Sequence, residues 1–545
     1  MMEDSDVEEE EIIFQNGVTK GTKGGDFDHR GDQLQQQTEP AVLGEQAEED
    51  ESTGILPETN FEEVERNDFE ALDDQGSSSE ELLLGGEDTY TVEEAIDKCG
   101  FGLFQLKISC ITGVLFMADA FEIIILSILA DQLHCDWSLS LPKKALITTV
   151  VFVGYLIGAS TFGSWSDKYG RKNIVWISSF WIFVFGILSS FAPTLLWMYI
   201  ARFCVGVGLG GAAQVWPLYA EFLPSRSRGR TLGLMQIFWV IGVLTVVAMA
   251  AVVVPLYGWR VLLFLAALPQ LVFLILMNFV PESPMFDVVS GQRRNAERTL
   301  RIVAKVNKKS LPHGRLTVKF STESRGTISD LFKTWRTSIA SFLLFFIWFV
   351  TAFTYYGIVL LSTELFSTGN ICEAQVEEHN DCADSCQKLD TAGYLQLIAT
   401  SSSELVSIFV VLTTIDIIGR KRSLMIFFSL ASVFIFLLNL CVDLRYITIF
   451  VFVIRGFSSS LFTVIYIYTT EVYPTHIRSI GLGMCSSMAR FGPITTPFFA
   501  QVLLAYSPRM TVSCYGIFTL LAAIGVLFLP YETKGVKLKS AATIG

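Results

Sequence analysis

Charge is scarce in this chain, and patterned catalytic chemistry is missing from it. Only 17% of its 545 residues are Asp, Glu, Lys or Arg. Its five histidines are scattered, none in H-E-x-x-H spacing, which removes the zincin class of metal hydrolase. No G-x-S-x-G and no G-x-x-x-x-G-K-[ST] occurs, so neither a serine hydrolase of the nucleophile-elbow type nor an ATP-driven pump has support. No pattern points to a cofactor, a metal or a nucleic-acid partner. What the chain has instead is apolar: 51% hydrophobic and 13% aromatic residues, rich for a soluble protein of this length.

The apolar residues fall into twelve runs long enough to cross a bilayer, which takes roughly 20 residues each. They are about 103–130, 143–164, 173–191, 195–218, 231–255, 260–280, 337–361, 392–414, 423–442, 445–469, 480–505 and 510–530. The first run begins beyond residue 100, which reads against a cleavable signal peptide. The expectation is an all-α membrane protein of twelve transmembrane helices in two six-helix bundles, 91–280 and 337–530, with the lipid bilayer as its main partner. A linker at 281–336 joins the bundles, and tails occupy 1–90 and 531–545.

The formal charge of −14 hides two opposite balances. Residues 1–90 hold 28 acids against 4 bases, whereas the remaining 455 hold 26 acids against 36 bases. The tail has Gln and Ser runs and no apolar periodicity, so it reads as disordered: either a docking segment for cytosolic protein partners or a solvating tail. In the body, Lys168, Arg171 and Lys172, then Arg226, Arg228 and Arg230, then Arg420, Lys421 and Arg422 all fall at one membrane face. The 281–336 linker adds twelve Lys/Arg against five Asp/Glu. The other face is acidic, with Asp131, Asp136 and seven acids against Lys388 in 363–390. By the positive-inside rule both termini and the linker are cytosolic. Four of the ten cysteines, Cys135, Cys372, Cys382 and Cys386, then face the lumen and suggest one or two disulfides, with three pairings open. The other six read as small hydrophobes.

The chain also repeats itself. Asp167-Lys-Tyr-Gly170-Arg171-Lys172 returns 249 residues later as Asp416-Ile-Ile-Gly419-Arg420-Lys421. Glu221-Phe-Leu-Pro224 with Arg228 returns 250 residues later as Glu471-Val-Tyr-Pro474 with Arg478. Pro281-Glu282-Ser-Pro is echoed by Pro530-Tyr-Glu532-Thr-Lys. Three motifs at one offset indicate a duplicated bundle, the construction of many secondary transporters. Gly170 and Gly419 suit a left-handed turn at a helix end. Arg171 and Arg420 can reach carboxylates or helix C-termini, and Glu221 with Arg228 and Glu471 with Arg478 supply complementary charges on the same face. Together, with Glu282 and Glu532 among the gate residues, they read as two cytosolic latches that hold the halves shut; ordinary topology charge is the plainer alternative. Arg202 and Arg455 are embedded at matching repeat positions and need internal partners, for which the latch acids are the candidates.

Gly206-Val-Gly208-Leu-Gly210-Gly211 matches a dinucleotide fingerprint only formally. No strand precedes it, and small residues inside an apolar helix serve close helix packing in lipid. Asp119 and Glu122, three residues apart on one face of the first span, are the sharpest chemical signal. Two like charges at that depth resist joint ionisation, as a proton-coupling site requires, unless Arg or backbone groups satisfy them. Glu404 is a second acid of this kind. Trp239, Tyr355 and Tyr356 can wall a cavity and stack on a cationic or ring-bearing solute, or simply pack. Thr91-Val-Glu-Glu94 fits a capping box for a short helix before the first span.

The twelve runs, the doubled D-x-x-G-R-K, R-x-x-x-G-x-G from Arg202, P-E-S-P and the closing E-T-K-G together resemble the sugar-porter-like branch of the major facilitator superfamily, from about residue 88 to 538. A second set narrows the resemblance within that branch: Met117-Ala-Asp-Ala-Phe-Glu122, His134-Cys135-Asp-Trp137, Tyr355-Tyr-Gly-Ile-Val-Leu-Leu361 and Thr363-Glu-Leu-Phe366. It implies a polytopic protein of synaptic or secretory vesicle membranes that transports a small molecule not fixed by family membership. The chain departs from sugar porters in the seventh span, which lacks their Gln-Gln and Asn ligands, and at Ile465-Tyr-Ile-Tyr468, where they carry a Gly-Pro and Trp region. With acids in the first span, those departures lean away from a neutral hexose and toward a cationic or zwitterionic solute, moved by alternating access with proton coupling. The rival expectation is a vesicle membrane protein that transports nothing and recruits cytosolic partners through the acidic tail.

Overall fold

The computed structural model describes residues 89–317, 327–368, 389–440, 442–474 and 476–534. The acidic tail up to residue 88, Cys372, Cys382, Cys386 and the segment from 535 onward lie outside the described residues. Cys135 is disulfide-bonded.

Twelve membrane crossings follow one another. Span 1 is Leu103–Trp137, span 2 Leu141–Tyr169, span 3 Arg171–Ser190 and span 4 Leu195–Ala220. Spans 5 and 6 lie in one run, Arg228–Met277, divided at Gly258, whose φ of 78° and ψ of 177° turn the chain between two crossings. Span 7 is Trp335–Thr368, span 8 Thr391–Ile417, span 9 Arg420–Leu437 and span 10 Leu444–Val472. Span 11 starts as Arg478–Pro497 and continues through a π-helical turn, Phe498–Leu503, to Tyr506; span 12 is Pro508–Leu527. By length and composition alone nine described helices qualify as crossings. Spans 5 and 6 count as one of these nine. Span 9, with its Arg-Lys-Arg start, and the hydroxyl- and Pro-rich span 11 fall short on apolarity. Pro493 and Pro497 remove two backbone donors from span 11, and the wider π turn follows directly.

Span 1 runs seven residues past its apolar stretch because Asp131, His134 and Asp136 there find partners. Asp131 pairs with Lys144 at 2.7 Å, Trp259 Nε1 donates to Asp136 at 2.9 Å, and His134 Nδ1 lies 2.6 Å from the Leu139 carbonyl. Spans 2 and 4 cross at the close approach read from their glycines. A methyl at Gly158 would strike the Val207 carbonyl, and one at Gly206 the Val151 carbonyl.

At the end where spans 2 and 3, and spans 8 and 9, connect, which we call the motif end, a small polar-faced platform forms. The capping box is present: Glu94 N donates to Thr91 Oγ1 at 3.2 Å and Thr91 N to Glu94 Oε2 at 3.0 Å, starting helix Val92–Cys99. Thr89–Tyr90 pairs in parallel with Arg315–Leu316. Tyr90, Ile96, Val288, Ala296 and Leu300 share one buried cluster, so the linker helices Pro284–Val289 and Arg293–Val306 are packed against the chain just before span 1. One apolar core fills the first half and continues into the far ends of spans 7, 8, 10 and 12. The motif-end parts of spans 7 to 12 form a separate core.

Candidate functional site

The two D-x-x-G-R-K motifs fold as the same device. Gly170 (φ 96°) and Gly419 (φ 102°) turn the chain into spans 3 and 9, and the first backbone N–H groups of those helices converge on one carboxylate. Glu282 accepts from Arg171 N at 3.0 Å and Lys172 N at 3.0 Å; Glu532 accepts from Arg420 N at 2.7 Å, Lys421 N at 3.2 Å and Arg422 N at 3.2 Å. A helix N-terminus is where an anion gains most, from free donors and from the helix dipole. Burial opposes ionisation of Glu532, but these donors outweigh it and hold the carboxyl below its usual range. A Cβ at Gly419 would sit 2.7 Å from Glu532 Cδ, so glycine is required there by space as well as by φ.

Each latch closes within its own half. The Arg171 guanidinium pairs with Glu221, which also accepts from the Ser283 hydroxyl. Burial pushes the Glu221 carboxyl up despite Arg171. In the second half Arg420 lies 3.1 Å from Glu471 and 3.3 Å from Asp416. The expected pairing of Glu221 with Arg228 and of Glu471 with Arg478 is therefore replaced: Arg228 meets Glu93 at 3.3 Å, and Arg478 has no carboxylate partner among the described residues. Asp167 is exposed and, among the described residues, unpaired. Among the described residues no hydrogen bond or ion pair of these latches bridges the two halves, contrary to the expectation that they clamp them together.

Arg202 and Arg455 correct a second expectation. Both are almost fully buried, and neither touches a latch acid. Arg202 Nη1 lies 2.8 Å from Glu122 and its Nη2 donates to Ser189 Oγ at 2.7 Å; Arg455 Nη2 lies 2.9 Å from Glu404. Distance explains the difference. Glu221 is 19 residues beyond Arg202, close to 30 Å along a helix at about 1.5 Å per residue. A guanidinium in lipid pairs with the acid at its own depth, because an unpaired buried charge costs several kcal/mol. The arginines are repeat-equivalent but their acids are not, one coming from span 1 and the other from span 8.

Around Glu404 the structure gathers four of the sequence candidates. Trp239 Nε1 donates to Tyr355 OH at 3.1 Å, and Tyr355 OH in turn reaches Glu404 at 3.1 Å and 3.2 Å. A polar chain thus runs from span 5 through spans 7 and 8 to Arg455 in span 10, crossing between the halves. Tyr356 joins through ring contacts with Tyr355 at 5.1 Å and Phe152 at 5.0 Å. Asp119 stands apart from this chain. Among the described residues its one hydrogen-bond partner is Gln270 Nε2 of span 6 at 3.5 Å, and it feels the charge of Glu122 one turn away.

Sequence reasoning missed two features. Lys144, buried in span 2, binds Asp131 of span 1 and Glu364 of span 7, a triad that ties the halves together at the end opposite the motifs. Nearby, Thr149 Oγ1 donates to the Ile494 carbonyl of span 11 at 3.1 Å. Lys144 and Glu364 each border an apolar run and read as loop charge, so only their meeting in space reveals them. Arg490, at mid-depth in span 11, lies over the Tyr155 ring of span 2 at 3.9 Å; a lone cation inside the run 480–505 was the available signal.

Two pseudo-symmetric six-helix halves with charges paired at mid-depth and one polar chain bridging the halves define a membrane transporter of the major facilitator fold. Residues 107–544 match the family model described as sugar (and other) transporter. The chain is 43% identical over 477 residues to synaptic vesicle 2-related protein of Rattus norvegicus, covering 86% of each, and 43% identical over 488 residues to the Xenopus laevis protein of that name, covering 89% and 88%. The partially occluded inward open structure of the xylose transporter XylE from E. coli aligns with a TM-score of 0.60 at 18% identity, over 80% of this chain and 100% of that one. The chain belongs to the sugar transporter family of the major facilitator superfamily, within the group of synaptic vesicle 2-related proteins, and is a multi-pass membrane protein.

Proposed function

We propose that this protein is a proton-coupled secondary transporter that moves a small cationic or zwitterionic organic solute across a vesicle membrane by alternating access, with the motif end and both termini cytosolic. The observation that carries the reading is the pair of buried mid-depth ion pairs, Glu122–Arg202 and Glu404–Arg455, the second joined across the halves through Tyr355 and Trp239. Charges at this depth are costly and persist where a proton or solute uses them. Asp119 has no cation beside it among the described residues and takes the proton or the solute cation; protonation of neighbouring Glu122 releases Arg202 and loosens spans 1, 3 and 4 from one another. The names of the relatives support the vesicle membrane, and the basic motif end supports the orientation.

The halves are tied at mid-depth and at the end opposite the motifs, and the apolar core is continuous there and split at the motif end. This supports a conformation whose solute path faces the cytosol. The test is uptake of a panel of labelled amines and amino acids into proteoliposomes carrying a proton gradient. Wild type accumulates at least one compound and Asp119→Asn does not; equal uptake by the two proteins removes Asp119 from the mechanism.

A further inference from the structure

Among the described residues mid-depth charge is paired off with one exception of positive sign. Arg202 has Glu122 and Arg455 has Glu404. Arg490 of span 11 has no carboxylate and no hydrogen-bond acceptor among the described residues; its one close partner is the Tyr155 ring. It is neither at a helix end nor fully buried, so it has not been placed there to snorkel or to cap. It lies twelve residues into span 11, roughly 18 Å at 1.5 Å per residue. Tyr155 sits at the midpoint of span 2, on the opposite side of the seam between the halves.

A contact of 3.9 Å from Cζ to the ring centroid leaves the guanidinium usable. A cation over a ring presents its flat face to the π system, and the N–H edges that make forked bonds to a carboxylate stay free. The charge of Arg490 also reaches the Tyr356 hydroxyl, and Tyr356 touches Phe152 at 5.0 Å and Phe462 at 6.4 Å. Those rings lead on to Tyr355 and the Trp239 indole. An anion held by Arg490 therefore lies at one edge of an aromatic-walled seam made by spans 2, 5, 7 and 10.

We propose that Arg490 is the receptor for a carboxylate on the transported solute, which makes the solute an aromatic or aryl-sized zwitterion and not a simple cation. This rests on the transport reading above and narrows it. Resting over Tyr155 without an acid, Arg490 is satisfied only partly. A carboxylate completes its donors while bridging spans 2 and 11, which belong to different halves.

The experiment uses the purified full chain and four related probes: tryptophan, tryptophan methyl ester, tryptamine and indole-3-propionate. Binding is read as a shift in melting temperature and by titration calorimetry. The expected result is that tryptophan and indole-3-propionate bind wild type and the ester and amine bind at least tenfold more weakly. Arg490→Gln loses the carboxylate preference while melting, without ligand, as wild type does, and Arg490→Lys keeps part of it. The inference is overturned if neither carboxylate binds wild type, if tryptamine binds as tightly as tryptophan, or if Arg490→Gln binds the carboxylates unchanged. Proteoliposome uptake separates the two claims. Carboxylate binding without flux leaves the receptor standing and removes transport; flux of tryptamine alone, unaffected by Arg490→Gln, leaves transport standing and removes the receptor.

Discussion

Glu282 and Glu532 hold the two motif turns from outside the motifs, and that alters what each motif residue is for. The glycine is there because φ near 100° and an adjoining carboxylate both exclude a side chain. Gly419→Ala should cost on the order of 1–3 kcal/mol, seen as a lower melting temperature of the purified protein, while Gly483→Ala, with open space around its Cα and helical backbone, should change it little. The mid-depth pairs are more sensitive. Glu122→Ala leaves Arg202 buried beside Ser189 alone and should cost about 3–5 kcal/mol; the double change Glu122→Leu with Arg202→Met should recover much of that in melting temperature yet abolish proton-driven uptake. Glu122 and Arg202 were each legible in the sequence as buried charge, but their pairing was not. Partner choice depends on depth and on which helices adjoin, and a repeat offset shows only that two positions correspond, not what they face.

At the scale of elements, the linker is a docked platform. Asp287, in helix Pro284–Val289, is almost fully buried; burial, with Glu282 adding to it, pushes its carboxyl up to about 6. A carboxyl raised above its unfolded value binds a proton in the docked state that the undocked state releases, so docking is strongest below about pH 4 and weakens as pH rises toward 6 and past it. Hydrogen-exchange protection factors of 284–306, corrected for intrinsic rates, should be higher at pH 5 than at pH 7, and Asp287→Asn should remove the difference. The twelve crossings could be read from the apolar runs, but this platform could not: helix Arg293–Val306 shows its apolar stripe of Ala296, Leu300 and Val303 without naming the surface that receives it. The far end of span 1 was also read short, since Asp131 looks like a loop residue until Lys144 is brought to it.

For the whole molecule, the ties between the halves set which way it faces. Lys144 with Asp131 and Glu364, Thr149 with Ile494, and Trp239 with Tyr355 all join the halves at mid-depth or at the end opposite the motifs, whereas the latches stay within their halves. The doubled motif therefore closes each half as a body of its own. Of the parts that differ between the repeats, Tyr355, Glu404 and Arg490 lie along the seam between these bodies, whereas the span 1 acids face spans 4 and 6 of their own half. The central claim is that these bodies rock against each other, and it can be measured without knowing the solute. Spin labels at Tyr169 and Ile417 report the motif end, and labels at Phe191 and Tyr506 the opposite end; all four side chains are exposed. In double electron–electron resonance, Lys144→Met, which breaks the triad, should shorten the Tyr169–Ile417 distance and lengthen the Phe191–Tyr506 distance relative to wild type. If both distances stay the same, or both change in the same direction, the two halves do not exchange access in the way proposed.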